Sequence, residues 1–158
     1  MTLVPLPVAK MHIRAEDAAD DEVTPYLSAA ELAAASFLNR QVYATRGELD
    51  AAVAGVPAML TAAGVAHTAA VEAAEALEDA IARATGVAYA DTVYARAQDE
   101  AREIHAGMVV NDAVKAAILL LFGHLHANRE DAVTGVTVAQ MPMGSQYLLM
   151  PYRVGMGV

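Results

Sequence analysis

Lys115-Ala-Ala-Ile-Leu-Leu-Leu-Phe-Gly-His-Leu-His-Ala-Asn-Arg-Glu-Asp131 runs through a polar loop into Pro142-Met-Gly-Ser-Gln-Tyr-Leu-Leu-Met-Pro-Tyr-Arg153. Within and just before this stretch, Val110, Val114, Ala117, Ile118, Leu121, Phe122 and Leu125 recur at steps of three and four residues. That is the repeat of one helix face, so the spacing predicts a helix buried along this stripe. Asn111 or Asp112 supplies its N-cap. The segment Tyr147-Leu-Leu-Met-Pro-Tyr152 is too short to build a core and too apolar to be a solvated tail. It requires cover, from the body of the chain or from a partner.

Earlier in the chain the same reasoning gives more helices. Pro5 and Pro7 suit the first turn of a short helix over Pro7 to Arg14, because that turn lacks intrahelical amide acceptors. The acidic run Glu16-Asp-Ala-Ala-Asp-Asp-Glu22 feeds a helix from about Glu22 to Tyr43, its acids favoured by the positive end of the helix dipole. Val23, Leu27, Ala30, Ala34, Phe37 and Leu38 mark its apolar face. The acids do not alternate as calcium ligands do, and the central glycine of a calcium loop is missing. Between Thr45 and Gly107, Gly47, Gly55-Val-Pro57, Gly64 and Gly86 are expected to break alanine-rich helices. Ala66 to Thr85 and Asp91 to Ala106 are the helices expected there, with Asp79 and Arg83 spaced for an i,i+4 pair. Strand signals are sparse, confined to Ala132 to Val138, so the fold class is mainly α: a small helical bundle with an inserted arm over 45–107 and an extended end over 132–158.

Composition narrows the function classes. At 158 residues the chain fits a single domain. Ten Lys and Arg against nineteen Asp and Glu give a net charge of -9, the wrong sign for wrapping nucleic acid. The chain has no cysteine, which excludes disulfides and thiolate metal sites. The N-terminal Met-Thr-Leu-Val-Pro-Leu-Pro lacks a signal-peptide pattern, and the longest apolar run, Ala116 to Gly123, falls far short of the ~20 residues that span a bilayer. A soluble intracellular product without membrane contact is the expectation.

The histidines give no catalytic or metal constellation. His124 and His126 lie two apart, which on a helix turns them roughly 200° from each other, whereas a helical zinc pair needs i,i+4 spacing. His126 with Glu130 is a surface pair, and His12, His67 and His105 have no companions in sequence. There is no nucleophile elbow, phosphate loop or dinucleotide fingerprint. Glu72, Glu75, Glu78 and Asp79 could form an acidic site, but on one helix they fan over the solvent face. No enzyme activity, cofactor or metal is expected.

Four blocks resemble a known family. They are Leu6-Pro-Val-Ala-Lys-Met-His-Ile-Arg14 followed by acids; Tyr26-Leu-Ser-Ala-Ala30 running to Leu38-Asn-Arg-Gln-Val-Tyr43; Val114 to Asp131 with His124, Asn128, Arg129 and Glu130; and Met141-Pro-Met-Gly144 leading to Leu148-Leu-Met-Pro-Tyr-Arg153. In this order they resemble the head-tail connector (adaptor) proteins of long-tailed bacteriophages. The blocks cover about half the chain, and Thr45 to Gly107 departs from shorter family members.

The resemblance implies a non-catalytic virion protein of the head-tail interface, assembled in the host cytoplasm. It implies a homo-oligomeric ring beneath the portal protein, often a dodecamer, that extends the DNA channel without specific DNA binding. A tail-proximal connector or stopper protein would dock on its far side. Carried onto this sequence, the portal grip falls on Tyr147, Leu148, Leu149, Pro151, Tyr152 and Arg153, with the adjoining loop Val133 to Met143 beside it. The alternatives are a small helical DNA-binding or packaging regulatory protein, which would need a basic recognition helix, and an enzyme using the acidic cluster.

Overall fold

The computed structural model describes residues 2–128 and 143–155. Among them are α1 (Leu6–His12), α2 (Asp20–Leu38), β1 (Val42–Tyr43), α3 (Arg46–Glu75), α4 (Ala80–His105), β2 (Met108–Val109), α5 (Asp112–Ala127), α6 (Met143–Leu149) and a 3-10 turn, Met150–Tyr152. The fold is mainly α. The chain divides into two compact units, Met1–Arg46 with Met108–Val158, and Gly47–Gly107.

In the first unit, α2 and α5 form the core pair, and α1 and α6 pack against both. Val23, Leu27, Ala30, Ala34 and Leu38 of α2 are buried, as are Val114, Ala117, Ile118, Leu121 and Phe122 of α5. Val110, Leu125 and Phe37 pack at the margin of this core, partly buried. These are the two stripes that the residue spacing marks. Asn111 is the N-cap of α5, its side chain accepting from the Val114 amide at 2.9 Å. At the other end Asn128 closes the helix: its backbone and side-chain nitrogens both donate to the His124 carbonyl, at 3.0 and 2.8 Å.

The helix expected to reach Tyr43 stops at Leu38, because Asn39 adopts the left-handed conformation with φ 53°. Asparagine tolerates that conformation better than most residues, and one such residue ends a helix. The next residues form a parallel ladder, Val42 opposite Met108 and Tyr43 opposite Val109. It joins the strand leading out to the second unit with the strand returning from it. The expected extended piece over Ala132 to Val138, and Arg129, Glu130 and most of the loop from Val133, lie outside the described residues.

The second unit is a helical hairpin, and here the expected breaks are overturned. Gly55, Pro57 and Gly64 all lie inside α3, and Gly86 lies inside α4. Each helical glycine costs about 1 kcal/mol against alanine and a proline about 3, penalties that the many alanines around them offset. The break falls instead at Ala76–Asp79. Asp79 is the N-cap of α4, accepting from the Ala82 amide at 2.6 Å, and Arg83 donates to the Leu77 carbonyl at 3.0 Å. The pair expected between Asp79 and Arg83 is thus replaced by two capping bonds around the turn.

At Ala74 of α3 and Gly86 of α4, small residues face each other. A Cβ built on Gly86 would lie 2.8 Å from the Ala74 Cβ, an atom that cannot swing aside. Gly86→Ala gains up to about 1 kcal/mol of helix propensity, but it forces two backbones apart, an overpacking cost of about 1–3 kcal/mol. A net loss is expected, visible as faster hydrogen exchange of amides between Val71 and Ala90, with the first unit unchanged.

Candidate assembly surfaces

The six residues assigned to the portal grip do not hang free. α6 lies on α5 and α2 and turns its Ser145 and Leu149, four residues apart, into the core, where both are fully buried. Leu148 and Tyr152 pack at the core margin. Pro151 and Arg153 are exposed, and Tyr147 is 71% exposed. Of the six, these three are the exposed ones.

The chain after the 3-10 turn is strapped to the end of α2. The Val154 amide donates to the Leu38 carbonyl at 3.0 Å. Asn39 Nδ2 reaches the Val154 carbonyl at 3.4 Å, and Arg40 Nη1 the Tyr152 carbonyl at 3.3 Å. Arg153 sets its guanidinium 5.2 Å from the centre of the Phe37 ring. The left-handed turn at Asn39 therefore has a second consequence. It ends α2 so that Leu38, Asn39 and Arg40 meet the strap, a role that nothing in their spacing announces.

Sequence reasoning also misses Glu31. Lying on α2 among alanines, it is 9% exposed, and its Oε1 accepts from the Leu3 and Val4 amides at 2.7 and 3.0 Å. It anchors the N-terminal segment so that Val4 enters the core. Burial pushes its carboxyl above the ordinary carboxylate range, and the two amide bonds pull it partly back.

Of the acids leading into α2, Asp20 at its first position has a structural partner. Lys10 Nζ pairs with Asp20 at 2.5 Å and also donates to the Ala18 carbonyl, which ties α1 to the start of α2. Among the described residues no three His, Asp or Glu side chains are grouped to hold a metal ion. His12 packs over Gly123, His126 stands edge-on to Tyr26 with ring centres 6.0 Å apart, and His124 lies beside Asn128. His67 has a companion after all, across the hairpin. Its Nε2 is 2.8 Å from Asp91 Oδ1, and its ring lies 5.1 Å from that of Tyr94. Glu72, Glu75 and Glu78 are exposed, and Asp79 is committed to its cap.

The hairpin also carries exposed apolar residues. α3 is long and apolar enough to cross a membrane by length and composition, a property that the run of residues 116–123 does not share, yet only 11% of its most apolar window is buried. Leu49, Val56 and Ala74 are its buried residues. Val65, Leu77, Ile81, Tyr89 and Val93 stand exposed on the two helices and the turn between them.

No family model matches this chain, and no curated protein or solved structure is similar to it.

Proposed function

We propose that the protein is a structural component of a phage head-tail junction, a non-catalytic ring subunit that docks beneath the portal and continues the DNA channel. One observation carries the reading. The four blocks that resemble the connector family are scattered along the sequence, yet their described residues fall on α1, on α2 with β1, on α5, and on α6 with its turn, all in one compact unit. The departing stretch forms a unit of its own.

The net charge of -9 supports it too, because an acidic channel wall repels the phosphates of a moving duplex. The same charge disfavours the DNA-binding alternative, and no gel shift is expected even at low salt. On this reading the portal meets a preformed ledge whose accessible members are Tyr147, Pro151 and Arg153.

The paired variant Tyr147→Ser with Arg153→Glu tests the ledge. Both side chains are exposed, so the fold is retained and the circular dichroism melt moves by less than about 1 kcal/mol equivalent. Affinity for portal assemblies is expected to fall at least tenfold. Unchanged affinity would remove this ledge from the interface.

A further inference from the structure

The two units draw on cores of different depth. In the first, Val4, Leu27, Leu38, Ile118, Phe122 and Leu149 are all fully buried. The partly buried apolar residues described around them belong to the same unit. In Gly47–Gly107 the buried residues are Leu49, Val56, Ala74, Ala90 and Ala101. Only Leu49 and Val56 among these are larger than alanine, and they serve helices of 30 and 26 residues. An alanine side chain removes little apolar area from water, whereas every ordered residue carries its full backbone entropy cost.

The contacts across the hairpin do little to make up the difference. An open cleft of about 290 Å³ is bounded by both helices and lined largely by alanines, among them Ala63, Ala66, Ala70 and Ala97. Unfilled space forfeits the dispersion attraction that a packed side chain would supply to its walls. His67 meets Asp91 at 2.8 Å, but the Asp91 side chain is 65% exposed, so water competes for it. Ala74 touches Gly86, a contact between the two smallest kinds of residue. Alanine favours helix locally, yet a helix without packing is marginal in water even when rich in alanine. Parting of α3 from α4 therefore loses little packing and leaves both helices free to fray.

The ladder sets where such opening stops. The Met108 amide donates to the Gln41 carbonyl at 3.0 Å, and the Val110 amide to the Tyr43 carbonyl at 2.8 Å. Val42, Met108 and Val110 pack against the core of the first unit, so these bonds stay with that unit. The ledge stays with it too, because Leu149 is buried in that core and the chain beyond is strapped to Leu38, Asn39 and Arg40.

We propose that Gly47–Gly107 opens as a cooperative unit of its own while α2, α5 and α6 remain folded, so that the arm changes state without disturbing the ledge at Tyr147, Pro151 and Arg153. Segments that move in proteins are drawn from the low-stability end of the fold, and shallow burial is what puts them there. The consequence for portal docking rests on the ring reading; the opening itself does not.

Hydrogen exchange of the full-length chain under native conditions, read by mass spectrometry, tests the opening. The best-protected amides of α3 and α4 are expected to exchange roughly a hundredfold or more faster than those of α2 and α5. Val56→Ala, which empties one of the two large buried positions, is expected to speed exchange in α3 and α4 and to leave α2 and α5 unchanged. Equal protection in the two units, or a Val56→Ala effect that spreads to α2 and α5, would overturn the proposal. Val56→Asp holds the arm open by burying a charge, and its affinity for portal assemblies is expected to stay within about twofold of wild type. Lost affinity with α2 and α5 still protected would overturn the independence of arm and ledge. A wild-type chain that ignores the portal would sink the ring reading, while the exchange pattern of the free chain would still uphold the opening.

Discussion

Truncation after Gly144 is expected to destabilise the body of the protein by about 4 kcal/mol or more, not merely to remove a docking tail. Leu149 is fully buried, and deleting one such side chain costs about 2–5 kcal/mol. The truncation also removes the buried Ser145, the marginal packing of Leu148 and Tyr152, and the strap bonds to Leu38, Asn39 and Arg40. Against a typical total of 5–15 kcal/mol, a loss of this size unfolds a marginal domain. Urea denaturation followed by circular dichroism checks it. A truncated chain with an unchanged midpoint would mean that α6 and the strap are not held as described. Loss of portal binding on truncation cannot be assigned to lost contacts unless the fold survives, which is why the exposed pair Tyr147 and Arg153 is the sharper probe.

Glu31→Leu is expected to cost about 2–4 kcal/mol. It strands the Leu3 and Val4 amides without their acceptor, each worth about 1–3 kcal/mol when left unsatisfied. Glu31→Gln keeps an acceptor oxygen and removes the buried charge, so it is expected to be far milder and at neutral pH close to neutral or stabilising. The pH dependence separates the two effects. The folded-state pKa of Glu31 is raised above 4.5, so the folded protein holds this proton more tightly than the unfolded chain. The penalty for burying its charge is therefore full above the folded pKa and disappears as pH falls below the unfolded value near 4.5. The difference in stability between wild type and Glu31→Gln should shift in favour of wild type on acidification through this range. A constant difference from pH 7 to 4 would contradict the burial of a charged Glu31.

Both effects come from places where sequence pattern is silent. The stripes on α2 and α5 are legible because a wide buried face writes itself into the spacing of large apolar residues, and Val23, Leu27, Ile118 and Phe122 sit where the pattern puts them. Glu31 is not legible, since a glutamate among alanines has the same local pattern whether it meets water or two backbone amides. Asn39 is similar: its left-handed turn is an individual conformation, and the two-residue ladder beyond it is too short to leave an alternating signal.

In the hairpin the punctuation misleads because the alanine-rich helix α3 runs on through Gly55, Pro57 and Gly64 despite their cost, whereas the capping bond of Asp79 decides where α4 begins. For the end of the chain the pattern demands cover for Tyr147 to Tyr152 without naming its source. The structure supplies part of it from α5 and α2 and leaves Tyr147, Pro151 and Arg153 outward. The proposed portal grip concerns that outward part.

The most direct test of the ring reading is the mass of the intact chain by light scattering, alone and after mixing with portal assemblies. The account predicts a small species for the chain alone, and with the portal a discrete complex whose added mass corresponds to a closed ring of subunits of 16.5 kDa each. A chain that stays monomeric and leaves the portal mass unchanged at any concentration would contradict it.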